Sequence, residues 1–218
     1  MLLYILRHGE TVWNAERRVQ GLLGSDLSEK GVTLAQTTRA GLLDVPFDLC
    51  ITSPLLRARH TAELVLAGRD VPIIEDERIR EISFGAWEGM ILAGPRAEVP
   101  MDRWMRFIED PFAFEPPEGA ETIRDVIART GDFLTELTAD GTRRDQTILL
   151  STHGCAARAL LNAVYEDKAD FWHGKVPPNC SVSIVRADSG KLELLEEDHL
   201  FYDAVAWGVP ASGWVELE

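Results

Sequence analysis

The sequence predicts an α/β fold, a three-layer sandwich built on a mainly parallel central sheet. Two features carry that expectation. Residues 2–6, 48–52 and 147–150 are short apolar runs, the pattern of strands buried on both faces. Between them lie longer segments with apolar residues at helical spacing, so strand and helix alternate along the chain. A chain of 218 residues can bury one sizeable core. No repeat, low-complexity tract or Ser/Gly linker divides it, and we read residues 1–218 as a single domain.

The elements follow in order. The first strand, 2–6, is cut off by Arg7 and His8, and a polar, glycine-punctuated loop runs from 9 to about 27. Ser28 then offers an N-cap for a helix to about 43. Residues 48–52 form the second strand. Ser53-Pro54, a cap followed by proline at the first helical position, starts a helix to about 67. Residues 71–74 make a third strand. Residues 90–118 hold five prolines among aromatics and arginines, which reads as an excursion, a lid with one short helix at Met101–Glu109. Helix resumes over 119–138, with Ile123, Val126, Phe133, Leu134 and Leu137 near helical spacing. A strand at 147–150 leads into a helix over 154–165. Residues 181–186 and 192–195 close the sheet as a pair around Asp188-Ser189-Gly190.

Asp and Glu outnumber Lys and Arg by 36 to 22, a net charge of −14. That surface repels polyanions and argues against nucleic-acid binding. A few arginines gathered in one pocket can still reverse the field locally. Cys50, Cys155 and Cys180 are few, odd in number and far apart, as in a reducing compartment. No apolar run approaches the ~18 residues of a membrane span, and the apolar start is too short for a secretory signal. The expectation is a cytoplasmic protein with no membrane contact.

Three strands end on residues that carry chemistry. The first delivers Arg7-His8-Gly9, the second Ser53-Pro54 and then Arg57, and the strand at 147–150 leads through Ser151-Thr152 to His153-Gly154. In a parallel sheet the carboxyl ends lie along one edge, where ligands bind. Helix N-termini gather there too and favour an anion. Two arginines and two histidines at such an edge predict a phosphate pocket.

These segments resemble the histidine phosphatase superfamily, the phosphoglycerate-mutase-like proteins. The likeness runs through Arg7-His8-Gly9-Glu10-Thr11, Trp13-Asn14, Leu27-Ser28-Glu29-Lys30-Gly31, Ser53-Pro54-Leu55-Leu56-Arg57-Ala58, Arg80-Glu81-Ile82, Trp87-Glu88-Gly89, Pro116-Pro117-Glu118-Gly119 and Ser151-Thr152-His153-Gly154, in family order. The resemblance implies His8 as the phosphate-accepting nucleophile, with its other ring nitrogen donating to a backbone carbonyl. It implies Arg7, Arg57 and His153 as ligands of the phosphoryl oxygens, Asn14 as a further donor, and Glu81 as proton donor to the leaving oxygen. His153 would thus serve both catalysis and phosphate binding. The reaction implied is metal-independent hydrolysis of a small phosphorylated metabolite, with no cofactor. A homodimer is the default assembly.

Each residue has a plainer reading. Arg7-His8 could be a charged strand end, Arg57 a surface cap, and His153 a core histidine. Glu81 lies in a solvated acidic stretch with Glu75, Asp76, Glu77 and Glu88. Agreement among the ordered motifs favours the site. His60, His173 and His199 lack such a pattern and read as ordinary histidines, and the tryptophans, Trp214 included, read as core or lid packing. Metal-ligand spacing is absent. Cys180 and Arg186 have the C-x₅-R spacing of a cysteine phosphatase. The residues between them alternate like a strand, however, so their amides belong to a ladder and not to a phosphate loop.

Two alternatives stay open. One is a cofactor-dependent phosphoglycerate mutase, in which Arg96, Arg103 and Arg106 would bind a substrate carboxylate. Against it, the stretch from Glu81 to Gly89 looks like the phosphatase branch. The other is a non-catalytic phospho-ligand binder, whose mark would be loss of His8, Arg57, Glu81 or His153; all are present. Thr122 stands where many relatives place serine.

Overall fold

The computed structural model describes residues 1–188 and 190–209; Ser189 of the expected turn and Trp214 lie outside the described residues. Six strands form one sheet in the order β3-β2-β4-β1-β5-β6. They are β1 (Leu2–Arg7), β2 (Leu49–Thr52), β3 (Ile73–Glu75), β4 (Thr147–Thr152), β5 (Val182–Asp188) and β6 (Lys191–His199). β1, β2, β3 and β4 are mutually parallel, and β5 runs antiparallel to both its neighbours. The sheet is therefore mainly parallel, as the alternation implied.

Alternate side chains of the inner strands go to opposite faces. Leu3, Ile5, Leu49, Ile51, Ile148 and Leu150 pack on one side with Phe133, Leu134, Leu160 and Leu161. These last four come from α5 (Ile123–Ala139) and α6 (Gly154–Leu161). Leu6, Cys50 and Leu149 face the other way, against Leu34, Ala35, Ala62 and Val65. Those belong to α2 (Glu29–Gly41) and α3 (Leu56–Val65). Runs apolar at every position are what a sheet covered on both faces requires. A third apolar cluster joins the 90–118 excursion to the rest, with Trp104, Phe107 and Phe114 packed against Phe84, Trp87 and Trp172.

Several boundaries move for local reasons. The polar loop at 9–27 contains a short helix, α1 (Val12–Ala15), closed by a capping box between Thr11 and Asn14. Ser28 caps α2 as expected, accepting from the Gly31 amide at 3.0 Å. Ser53 does not cap α3: Leu55 is the N-cap and makes no side-chain cap bond. α4 (Met101–Glu109) falls where it was expected. α5 begins at Ile123, not 119, because Gly119 takes φ 77° and Thr122 with Asp125 forms the capping box. α6 stops at Leu161, short of 165, and β6 extends well beyond 192–195. No helix among the described residues is long and apolar enough to cross a membrane.

Candidate active site

The carboxyl ends of three neighbouring parallel strands build the site. Arg7 ends β1 in register with Thr152 of β4, and Ser151 is in register with Thr52 of β2. His8 and His153 therefore follow adjacent strands, while Arg57 enters from the first turn of α3. The His8 amide donates to the Thr152 carbonyl at 2.9 Å, and the Gly9 amide donates to Thr61 Oγ1 at 3.0 Å. A side chain at Gly9 would bring its Cβ within 2.8 Å of the Gly31 carbonyl oxygen. Only glycine lets the loop turn this tightly against α2.

His8 is buried, and its Nδ1 lies 2.7 Å from the Gly9 carbonyl oxygen. A carbonyl only accepts, so Nδ1 carries the proton and Nε2 the lone pair. Burial, reinforced by the charges of Arg57 and Arg7, pushes the His8 pKa well below its ordinary value. The imidazole is thus neutral near pH 7. Burial likewise lowers Arg57, to about 10, against the pull of Glu81 and Glu88; it stays charged. Arg7 donates through Nη1 to the Pro177 carbonyl, and Arg57 through Nη2 to the Gly21 carbonyl at 2.7 Å. Each keeps a buried Nε with no partner, and so does His153 at Nδ1. The rings of His8 and His153 lie 5.1 Å apart, centre to centre. Burial, then Arg57 and His8, hold the His153 pKa well below the usual histidine range.

Glu81 is buried as well. Its carboxylate accepts from the amides of Ile82 at 2.9 Å, Cys155 at 3.2 Å and Ala156 at 3.2 Å. The anion that the Cys155 and Ala156 amides hold at the N-terminus of α6 is therefore a side chain of the protein. Arg129 fixes the turn that carries Glu81, donating to the carbonyls of Arg78, Arg80 and Glu81. Asn14 spends its amide oxygen on the Thr11 N–H at 3.1 Å. What it can offer a ligand is its NH₂ group.

A cavity of about 140 Å³ opens beside these groups, lined at its polar end by Arg7, Asn14, Arg18, Gln20 and Glu81 and beyond them by Trp104, Phe107 and Trp172. The excursion thus covers the pocket with aromatic side chains. Its arginines do not enter. Arg103 lies over the Trp87 ring, 5.0 Å from its centre, and donates to the Glu115 carbonyl. Arg106 lies 3.7 Å from Asp110, and Arg96 is exposed.

Sequence reasoning singled out Arg7, His8, Asn14, Arg57, Glu81 and His153, and the fold brings all six to this edge. It did not single out Ser53 as a partner of His153, Arg129 as the brace of Glu81, or Gln20 and Arg18 as pocket walls. Ser53 lay in the family-like block Ser53-Pro54-Leu55-Leu56-Arg57-Ala58, and Arg18 and Gln20 in the similarly family-like run Glu16-Arg17-Arg18-Val19-Gln20-Gly21, whereas Arg129 carried no signal.

An α/β sandwich that gathers a neutral histidine, two buried guanidiniums and a carboxylate at its strand ends defines a histidine-based phosphoryl-transfer site. The chain belongs to the histidine phosphatase superfamily (branch 1), whose family model matches residues 3–198. It is 31% identical over 195 residues to phosphoserine phosphatase 1 of Hydrogenobacter thermophilus, covering 89% of this chain and 90% of that one. It is 32% identical over 166 residues to 2,3-bisphosphoglycerate-dependent phosphoglycerate mutase 2 of Gloeobacter violaceus, covering 73% and 74%. The solved structure of Bacillus stearothermophilus YhfR superposes with a TM-score of 0.83 at 33% identity, covering 91% of this chain and 97% of that one. The chain spans 39% of the length of a probable 2-carboxy-D-arabinitol-1-phosphatase of Arabidopsis thaliana, to which it is 29% identical.

Proposed function

We propose that the protein hydrolyses small phosphomonoesters through a phosphohistidine on His8, as a single domain with 90–118 as its lid. The observation that carries this reading is the state of His8. Its Nδ1 is committed to the Gly9 carbonyl, and around it Arg7, Arg57 and His153 each hold a buried nitrogen without a partner. Unsatisfied donors are costly in a folded protein and are relieved when an oxyanion arrives. Nε2 attacks phosphorus and the P–N bond forms as the ester P–O bond breaks, with the proton of a Glu81 carboxyl passing to the leaving oxygen. Water then attacks, Glu81 takes its proton, and the P–N bond breaks to release phosphate. Arg7, Arg57, Asn14 and His153 hold the equatorial oxygens, where charge resides in the transition state. We extend the reading to a cytoplasmic enzyme that acts without a metal, with a homodimer as its expected assembly.

Hydrolysis is favoured over mutase chemistry because the excursion's arginines turn away from the cavity. Arg18, which does line it, is the observation in favour of a mutase. The deciding experiment is an EDTA-treated assay with p-nitrophenyl phosphate and with 3-phosphoglycerate, each with and without 2,3-bisphosphoglycerate. Phosphate release that survives chelation and disappears in His8→Ala supports the phosphatase. Bisphosphate-stimulated conversion to 2-phosphoglycerate assigns a mutase instead. Silence with both substrates supports a narrow-specificity enzyme or a phospho-ligand binder.

A further inference from the structure

Ser53 follows β2 and is fully buried. Its backbone amide is bound to the Ser151 carbonyl and its backbone carbonyl accepts from the Thr52 hydroxyl. The side-chain oxygen accepts from the Leu55 amide at 3.3 Å and lies 2.7 Å from Nε2 of His153. A serine hydroxyl has one proton to give. Among the hydrogen bonds of the described residues, His153 Nε2 is the only acceptor offered to it.

That leaves three states for His153. As an imidazolium it would be a buried cation beside Arg57, which desolvation and the neighbouring charge oppose. With the proton on Nε2 it would donate to Ser53 and turn a bare lone pair, at Nδ1, toward any bound anion. With the proton on Nδ1 it accepts from Ser53 and keeps a buried N–H with no protein partner. Of the three, only this last is neutral, satisfied at Nε2, and ready to donate to a phosphoryl oxygen on the ring 5.1 Å away.

We propose that Ser53 is a positioning residue that donates to His153 Nε2 and so fixes the Nδ1–H tautomer, making His153 a neutral, ready-made phosphoryl-oxygen donor. Ser53 stands two residues before Leu55, the N-cap of α3, and its hydroxyl meets a partner 100 residues away in sequence. The catalytic part of this inference rests on the phosphoryl-transfer reading above, while the tautomer itself does not.

Two measurements test it. Imidazole ¹⁵N shifts of the whole protein at neutral pH, with His153 assigned by its loss in His153→Ala, should show a pyrrole-type Nδ1 and a pyridine-type Nε2. The reverse pattern, or an imidazolium, overturns the proposal whether or not the protein is an enzyme. The second is a double-mutant cycle on p-nitrophenyl phosphate turnover. Ser53→Ala should lower kcat about tenfold to a hundredfold, with Ser53→Thr restoring most of it. The pair Ser53→Ala/His153→Ala should be no slower than His153→Ala alone, since one residue acts through the other. Multiplying losses in the pair would refute the coupling. If Ser53→Ala does not fold, the wild-type ¹⁵N pattern decides. Failure of the phosphatase reading would instead show as full turnover by His8→Ala, with the tautomer unchanged.

Discussion

The carboxylate of Glu81 accepts from the backbone N–H of Ala156, and through its other oxygen from that of Cys155. Both amides belong to the first turn of α6, whose N-cap is His153. The group assigned to move protons and the group assigned to hold phosphate are therefore mounted on one helix end. Free amides and the helix dipole at such an end favour negative charge. In this protein they are spent on fixing a carboxylate at the pocket wall.

Glu81→Gln tests the proton role. Glutamine has one acceptor oxygen where the carboxylate uses two, so one buried amide loses its acceptor and the variant should fold with a loss of about 1–3 kcal/mol. Turnover should fall about 10²-fold or more for alkyl phosphates, whose leaving oxygen needs a proton, and far less for p-nitrophenyl phosphate. Equal losses across leaving groups would remove Glu81 from the acid role.

His8→Ala should lose at least ~10³-fold in kcat, with its melting temperature within a few degrees of wild type. The reason is that His8 contributes a side chain to a pocket and not to any of the three apolar clusters. Acid-labile ³²P should be trapped on the wild-type chain after quenching with labelled substrate, and none on His8→Ala.

Arg57→Lys separates charge from geometry. Arg57 uses Nη2 to hold the Gly21 carbonyl and keeps Nε in reserve. A single ammonium keeps the positive charge but loses the planar fork that serves two partners at once. Steady-state kinetics should show kcat lower by about 10²-fold with a smaller change in KM. An unchanged kcat would mean that charge alone suffices.

Acid should destabilise the protein before its carboxylates titrate. His8 and His153 are both buried and held well below 6.5, chiefly by desolvation. Below about pH 6.5 the unfolded chain binds protons that the folded chain refuses. Stability therefore falls as pH falls through that value, by up to ~1.4 kcal/mol per pH unit for each histidine until its folded pKa is reached. Urea melts between roughly pH 5 and 7.5 should show a shallower slope for His153→Asn, by about that amount. Identical slopes would mean that His153 is not buried in its neutral form.

What the sequence made legible was local. Ser28 as a cap, the helix at Met101–Glu109 and the strands buried on both faces are set by neighbours within a few residues. The strand ends followed from one topological rule, and with them came Arg7, His8, Arg57 and His153. Long-range pairings were not legible. Ser53-Pro54 has the form of a helix start, and nothing near it announces a histidine waiting on another strand. Arg103 and Arg106 look like pocket cations in sequence, but the face of α4 they occupy is set by where Trp104 and Phe107 must bury. Arg129 reads as one surface charge on an amphipathic helix, and only the folded turn at 78–81 gives it three carbonyls to hold.

The buried pair Arg158–Asp198 supplies a last prediction about how the site is braced. Arg158 is fully buried, its Nη2 lies 2.5 Å from the Asp198 carboxylate, and its Nε donates to the Lys175 carbonyl. Two residues further on, the Pro177 carbonyl receives Arg7. The stretch 175–177 thus hangs between two guanidiniums, one of them in the site. Arg158 also pairs with the Glu197 carboxylate at 2.6 Å, so Asp198→Ala removes one of two carboxylate partners and should cost about 1.5–3 kcal/mol in urea unfolding. Arg158→Met together with Asp198→Asn removes the buried charge, and Asn tolerates the φ of 50° found at this position. The double variant should therefore recover much of that stability. It does not recover the bond from Arg158 to Lys175, so Arg7 should be held less firmly and kcat should stay depressed. A double variant with both stability and kcat at wild-type level would show that Arg7 needs no such brace.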